Sequence, residues 1–177
     1  TPAERAAEIH EAAIVIDAHA DIVLPETSPL YLGADGQSKA STVKLQAGAF
    51  DAVVMSVAAG PKPRTDAGRA SAATEAEAKL AAIQTRVAQS PDLAFATSSA
   101  QVRDNIEAGR ISILLGFQNA QSLAGDLARL DDYYAAGVRG FALTHMGHND
   151  YADSSRPMFD GETGTYEVTE EHGGLSE

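Results

Sequence analysis

Strand-like and helix-like segments alternate along this chain, and that alternation restricts the fold more than any single motif does. Runs of buried-strand type fall at about 13–18, Phe50–Ala58, Leu93–Ala96, Ile111–Phe117 and Val138–Thr144. Helical patterns separate them. Residues 3–12 are rich in Ala and Glu, and Asp66–Gln89 carries an apolar stripe of Ala76, Leu80, Ile83 and Val87 before Ser90-Pro91 ends it. Within that stretch Glu75 and Lys79 form a favourable i,i+4 pair. Ser98 and Gln101 have the spacing of a capping box opening a helix that Gly109 closes. Leu123, Leu127, Leu130 and Tyr134 share one face of a helix that stops at Gly137. Strands separated by helices pair in parallel and are covered by those helices. Five such strands fit an open doubly wound sheet or part of a closed eight-stranded barrel, and in both the site lies at the C-terminal ends of the strands. The stretch 25–48, with Pro25, Pro29, Gly33, Gly36 and Gly48, is expected to be a long loop, functional or partly disordered. Beyond His148 the chain is polar and Gly-rich, with no clear element.

Composition narrows the function classes. The chain has 177 residues, enough for one domain with a real core, and 44% of them are hydrophobic, which excludes wholesale disorder. A net charge of −12 argues against a nucleic-acid surface, which needs clustered Lys and Arg. With no Cys, disulfides and thiolate metal sites are impossible, so any metal must use His, carboxylate, amide or water. No apolar run reaches membrane-spanning length. The first residue is Thr1 and no signal-peptide pattern is present, so the N-terminus is expected to be processed or the sequence an excerpt. The compartment is unreadable, and a periplasmic or secreted location stays open if a signal peptide was removed.

Polar residues gather where the strands end. The run Ile14-Val15-Ile16-Asp17-Ala18-His19-Ala20-Asp21 carries a buried-type segment into a His-x-Asp pair. Positions i and i+2 of a strand share a face, so His19 and Asp21 can aim an imidazole nitrogen and a carboxylate oxygen at one divalent metal. The plainer role for such a pair is a polar strand end. Gln118, after Phe117, can orient a water or a substrate carbonyl, or simply open the next helix. His145 can donate a hydrogen bond to a developing oxyanion or cap its strand. His148 suits a solvated or a structural loop role, Asp150 and Asp153 suit loop hydrogen bonds, and His10 and His172 have no supporting context. There is no Gly-rich phosphate loop and no Gly-x-Ser-x-Gly elbow.

Several segments, in order, resemble the membrane (renal) dipeptidase family, zinc peptidases of the amidohydrolase superfamily. Asp17-Ala18-His19-Ala20-Asp21 resembles its opening D-x-H-x-D strand, and Leu130-Asp131-Asp132-Tyr133-Tyr134-Ala135-Ala136-Gly137-Val138-Arg139 its L-x-x-[FY]-Y-x-x-G-V-R turn. Leu143-Thr144-His145 is similar to L-T-H, Asn149 to Ser154 to N-x-x-A-D-S, and Gly174-Leu175-Ser176 to the start of G-L-[ST]-x-x-G. The likeness is weak through 25–105. It implies an α/β fold, the N-terminal portion of a (β/α)₈ TIM-type barrel, with a two-zinc site at its top. It further implies that His19 and Asp21 are metal ligands and that His145 is a catalytic residue polarising the scissile carbonyl. Gln118 stands where the family has a Glu bridging the two metals. A neutral amide offers only its carbonyl oxygen, so Gln118 is at best a third ligand and the second zinc is in question.

From this follow the expected activity, a metal-dependent dipeptidase-like hydrolase acting on small dipeptide-like substrates, and its alternative, a catalytically altered relative that binds or tailors a peptide-like ligand. Residues 1–177 are expected to be a single partial domain, with a barrel truncated at its C-terminal end. On its own it should lack activity, for want of ligands, and should expose a strand edge at 138–144. No nucleic-acid partner is expected, and the full-length protein is expected to form a homodimer.

Overall fold

The computed structural model describes residues 1–57, 59–154 and 175. In chain order the elements are α1 (Pro2–Ala12), β1 (Ile16–Asp21), a 3₁₀ turn (Pro29–Tyr31), α2 (Thr42–Ala47), β2 (Ala52–Ser56), α3 (Asp66–Gln89), β3 (Leu93–Phe95), α4 (Ser99–Glu107), β4 (Ile111–Phe117), a second 3₁₀ turn (Ala120–Leu123), α5 (Arg129–Ala135) and β5 (Val138–Phe141). The expected alternation of strand and helix is therefore present. The Gly174-Leu175-Ser176 stretch lies outside the described residues except for Leu175, as do Ala58 at the end of the second expected strand and His172.

Backbone contacts divide the chain into two units, Thr1–Met55 with Ala82–Leu114, and Ser56–Ala81 with Leu115–Glu177. In the first unit the strand order is β1-β2-β4-β3. β3 pairs β4 in parallel with Leu93 opposite Ile111 and Phe95 opposite Ile113. Ala52, Ala96 and Val102 form a small core there, with Ile106 and Leu114 packed on it. Asn105, 5% exposed in α4, donates from Nδ2 to Ser112 Oγ at 3.1 Å, which satisfies two buried polar groups at once. The cap opening α4 differs slightly from the expected box. Ser98 Oγ accepts from Gln101 N, but Gln101 Oε1 accepts from Thr97 N at 2.7 Å.

In the second unit the C-terminal half of β4 pairs β5 in parallel, Leu115 opposite Val138 and Phe117 opposite Phe141, with a register shift after Leu115. α5 packs on this pair. Phe117 meets Tyr133 edge-on at 4.4 Å and Phe141 at 5.4 Å. Gly137, at φ 104°, supplies the left-handed turn that brings α5 back into β5. The α3 pair forms as expected, Lys79 Nζ lying 3.0 Å from Glu75 Oε1.

Several expected boundaries move, β2 among them, which starts at Ala52 and stops at Ser56. β1 begins and ends three residues later than expected, so His19 and Asp21 stand within the strand. The loop 25–48 contains a 3₁₀ turn and α2. The helix expected through Leu123 and Leu127 begins only at Arg129, because Ala124 and Gly125 take positive φ and interrupt it. β5 stops at Phe141, three residues early, so His145 belongs to the following loop. Within 138–144, Phe141 and Leu143 are exposed while Val138 is buried.

Candidate functional site

Asp17, His19 and Asp21 alternate along β1 and line one cavity of about 270 Å³ with Ala20, Tyr31, Ser38, Lys39 and Ala40. All of these residues belong to the first unit. The strand supplies the period-2 placement, and Ala20, buried between His19 and Asp21, anchors it. His19 Nε2 lies 3.7 Å from Asp21 Oδ2, with the two side chains 44% and 28% exposed. Asp17 has a different task. Its Oδ1 accepts the His19 backbone N–H at 3.0 Å and so holds the strand where the imidazole departs. Two ligands about 2.1 Å from one ion at a tetrahedral angle stand about 3.4 Å apart. The His19–Asp21 separation therefore fits a shared divalent ion with little movement. Among the described residues no group of three or more His, Asp or Glu completes a metal site.

The opposite wall of the cavity comes from the loop after β1, which is closely tied down. Leu32 and Ser38 form an antiparallel bridge. Gly33 N donates to Gln37 O at 2.8 Å, and Lys44 Nζ lies 2.8 Å from Asp35 Oδ1. The hydrogen bond from Lys44, followed by the Gln37 N–H, holds the Asp35 carboxyl below the usual range. Arg86, in α3, donates to the carbonyl of buried Ala40.

The other sequence candidates lie in the second unit. Gln118 follows β4 and is half-buried. His145 is exposed in the loop after β5, and its carbonyl accepts from the Ser154 hydroxyl. That loop is organised by residues to which the sequence reading gave only loop roles or none. Asn149, 0% exposed, donates from Nδ2 to Asn119 Oδ1 at 3.0 Å and to Leu143 O at 2.8 Å. Its Oδ1 accepts from Tyr151 N at 2.9 Å and Ala152 N at 3.0 Å. Asn119 Nδ2 reaches Met146 O at 3.3 Å. His148 is 3% exposed, its Nδ1 accepting from Ser154 N at 3.0 Å and lying 3.2 Å from Asp153 Oδ1. Of the two roles open to His148, solvated or structural, burial selects the structural one, and Asp153 makes the loop contact expected of it. Asp150 takes Arg69 in a two-pronged pair, Nε to Oδ2 at 3.0 Å and Nη2 to Oδ1 at 2.7 Å. Hydrogen bonding to Asp150 raises the Arg69 pKa.

Tyr31, Ser38, Lys39 and Ala40 are cavity residues of the loop after β1 that sequence reasoning missed. Pro29, Gly33 and Gly36 announce turns there, but nothing in their spacing says which side chains the turns direct toward β1.

Comparison with known proteins places this geometry. The family model described as membrane dipeptidase (peptidase family M19) matches residues 3–177. The dipeptidase aclJ of Aspergillus oryzae is 40% identical over 89 residues, and the dipeptidase verJ of Clonostachys rogersoniana 33% over 84. These alignments cover 49% and 48% of this chain but 19% of each relative. The crystal structure of the probable dipeptidase PvdM from Pseudomonas aeruginosa superposes with a TM-score of 0.73 at 27% identity, over 88% of this chain and 40% of that one. The fold is thus that of part of such a dipeptidase, with a parallel sheet as expected.

Proposed function

Because the chain belongs to the membrane dipeptidase family, we propose that the whole protein is a metal-dependent, dipeptidase-like hydrolase cleaving the amide bond of dipeptides or related small amides. The observation that carries this reading is the His19–Asp21 pair, two metal-competent groups 3.7 Å apart in a cavity of about 270 Å³. His19 Nε2 and the Asp21 carboxylate would hold the ion, zinc by the chemistry of an N/O ligand pair in a hydrolase. Gln118 would add at most its amide oxygen. A bound zinc ion supplies Lewis acidity toward a water and a carbonyl oxygen. The protein's own residues do the rest. Asp17 fixes the backbone from which His19 projects, and His145 would donate a hydrogen bond to the scissile carbonyl as negative charge develops on its oxygen. The test is a coupled amino-acid assay of the zinc-loaded whole protein on a dipeptide panel. Release of free amino acids above a metal-only blank is expected, and its absence across the panel overturns the reading.

A second reading, a relative that binds or tailors a peptide-like ligand without peptidase activity, is favoured by one residue. Gln118 supplies no charge where the resembling family has a bridging carboxylate. Two divalent ions about 4 Å apart repel by about 4 kcal/mol even at the dielectric constant of water. One tight metal and a weak or missing second are therefore expected in the wild type. Gln118→Glu should move the stoichiometry toward two and increase dipeptide hydrolysis, measured by equilibrium dialysis with elemental analysis and by the coupled assay. Two tight metals in the wild type, unchanged by the substitution, would remove the basis for the second reading.

A further inference from the structure

His145, the residue set against the scissile carbonyl in the reading above, lies beyond the end of β5, and its imidazole is exposed on a loop. A donor aimed at a developing oxyanion acts fully only when it is already in place, because ordering it during the reaction costs part of what it contributes. Away from the strand ladder, the main chain around His145 is held by side chains instead. Leu143 O accepts from Asn149 Nδ2 at 2.8 Å and from Ala120 N at 3.0 Å. His145 O accepts from the Ser154 hydroxyl. Met146 O accepts from Asn119 Nδ2 at 3.3 Å. Gly147, at φ 78°, then turns the chain toward buried His148 and Asn149.

The three donor side chains are themselves buried and fixed. Asn119 Oδ1 accepts from Gln121 N at 3.0 Å and from Asn149 Nδ2 at 3.0 Å, which orients the amide so that its Nδ2 faces Met146 O. Asn119 directly follows Gln118, so one amide ties the end of β4 to the loop that carries His145. Ser154 N donates to His148 Nδ1 at 3.0 Å, which fixes the residue from which the hydroxyl projects. Of the three, Ser154 bonds the carbonyl of His145 itself, on the peptide that leaves its Cα. All these groups belong to the second unit. The result is an exposed ring on a main chain anchored by buried donors. We propose that Ser154, with Asn119 beside it, is a positioning residue for His145: by holding the His145 and Met146 carbonyls it sets the direction in which the imidazole leaves the loop. This rests on the dipeptidase reading and adds to it residues that act through His145 without touching substrate.

The test is a double-mutant cycle on the zinc-loaded whole protein, with Ser154→Ala, His145→Ala and the two combined, read as kcat and KM on one dipeptide in the coupled assay. Ser154→Ala removes a single oxygen and keeps the N–H that serves His148. His145→Ala should lower kcat about 100-fold, the scale of one lost oxyanion donor. Ser154→Ala should lower kcat about tenfold with KM within about twofold, as misplacement of that donor would. In the His145→Ala background the same substitution should change kcat by less than about twofold, since nothing is left to position. A residue that serves only the fold would act alike in both backgrounds. An equal loss in both, no loss in either, or a His145→Ala protein as active as the wild type overturns the positioning role and leaves the dipeptidase reading intact; an inert wild type overturns both. Ser154→Thr, which keeps the hydroxyl, should retain most of kcat. Asn119→Asp keeps the oxygen that serves Gln121 N and withdraws the donor from Met146 O, so it should show the same coupling to His145 even where Ser154→Ala fails to fold.

Discussion

Histidine and aspartate occur both on β1 and in the loop after β5, and the two regions use them in opposite ways. On β1, His19 and Asp21 stay partly exposed and line a cavity, and the hydrogen bonding near them runs through backbone, as in the Asp17 contact to His19 N. In the loop after β5, His148, Asn149, Asp153 and Ser154 are buried and engaged with one another and with main-chain groups. Residue type therefore does not separate ligand from scaffold. What separates them is burial and how far the groups are engaged: Asn149 spends its whole amide, whereas His148 spends Nδ1 and keeps a buried Nε2 with no partner among the described residues.

That contrast can be broken at either end. The largest effect is expected from Asn149→Ala, which removes four hydrogen bonds from a fully buried side chain and takes the acceptor from the Tyr151 and Ala152 N–H groups, while Asn119 Oδ1 keeps the Gln121 N–H. Stability should fall by about 3 kcal/mol or more in urea denaturation; a loss below about 1 kcal/mol would mean that water replaces the network readily. At the β1 end, His19→Ala should lower zinc affinity about 100-fold or more while leaving stability within about 0.5 kcal/mol. A variant that instead unfolds would make His19 scaffold, like His148.

A smaller effect tests the tie between α3 and the loop after β5. Asp150→Asn should lower the melting temperature less than Asn149→Ala does, because the Arg69 and Asp150 side chains keep 31% and 22% of their exposure. The loss should shrink further as salt is added, since it is partly Coulombic. An unchanged melting temperature at low salt would show that the pair holds nothing. The smallest effect concerns pH. Burial raises the Glu75 pKa, but hydrogen bonds from Lys79 and Lys62 and the Gly60 N–H outweigh it, and the net shift is downward. A carboxylate lowered on folding stabilises the protein above its ordinary value of about 4.5, and that contribution is lost as pH falls below it. Glu75→Gln should therefore flatten the decline in melting temperature between about pH 5 and pH 3. A parallel decline in both proteins would sink this assignment.

Local pattern announced the order of the elements because helix and strand periodicity live within a few neighbouring residues. The α3 span, the β4 span and the Glu75–Lys79 pair needed nothing more. Boundaries were harder. The β1 reading stopped at Ala18, because polar His19 and Asp21 look like a strand's end when the strand is judged by hydrophobicity. They remain strand because one face of β1 lines a cavity instead of the core. The β5 reading ran on to Thr144 for the converse reason: Ala142 and Leu143 have strand character, but Asn149 Nδ2 and Ala120 N take the Leu143 carbonyl and turn the chain into a loop.

The sequence by itself determined that strands and helices alternate, that His19 and Asp21 can aim at one point from the end of the first strand, and that any metal must be held without thiolates. These are consequences of short-range geometry and of composition. Only the tertiary structure decided that Tyr31 and Lys39 share a cavity with that face, and that Asn149 and His148 serve the fold. Both depend on contacts between residues distant in the chain. Lys39 lines the cavity beside β1 because the Leu32–Ser38 bridge and Arg86 of α3 hold its loop, and His148 Nδ1 is committed because the chain brings the Ser154 N–H back to it.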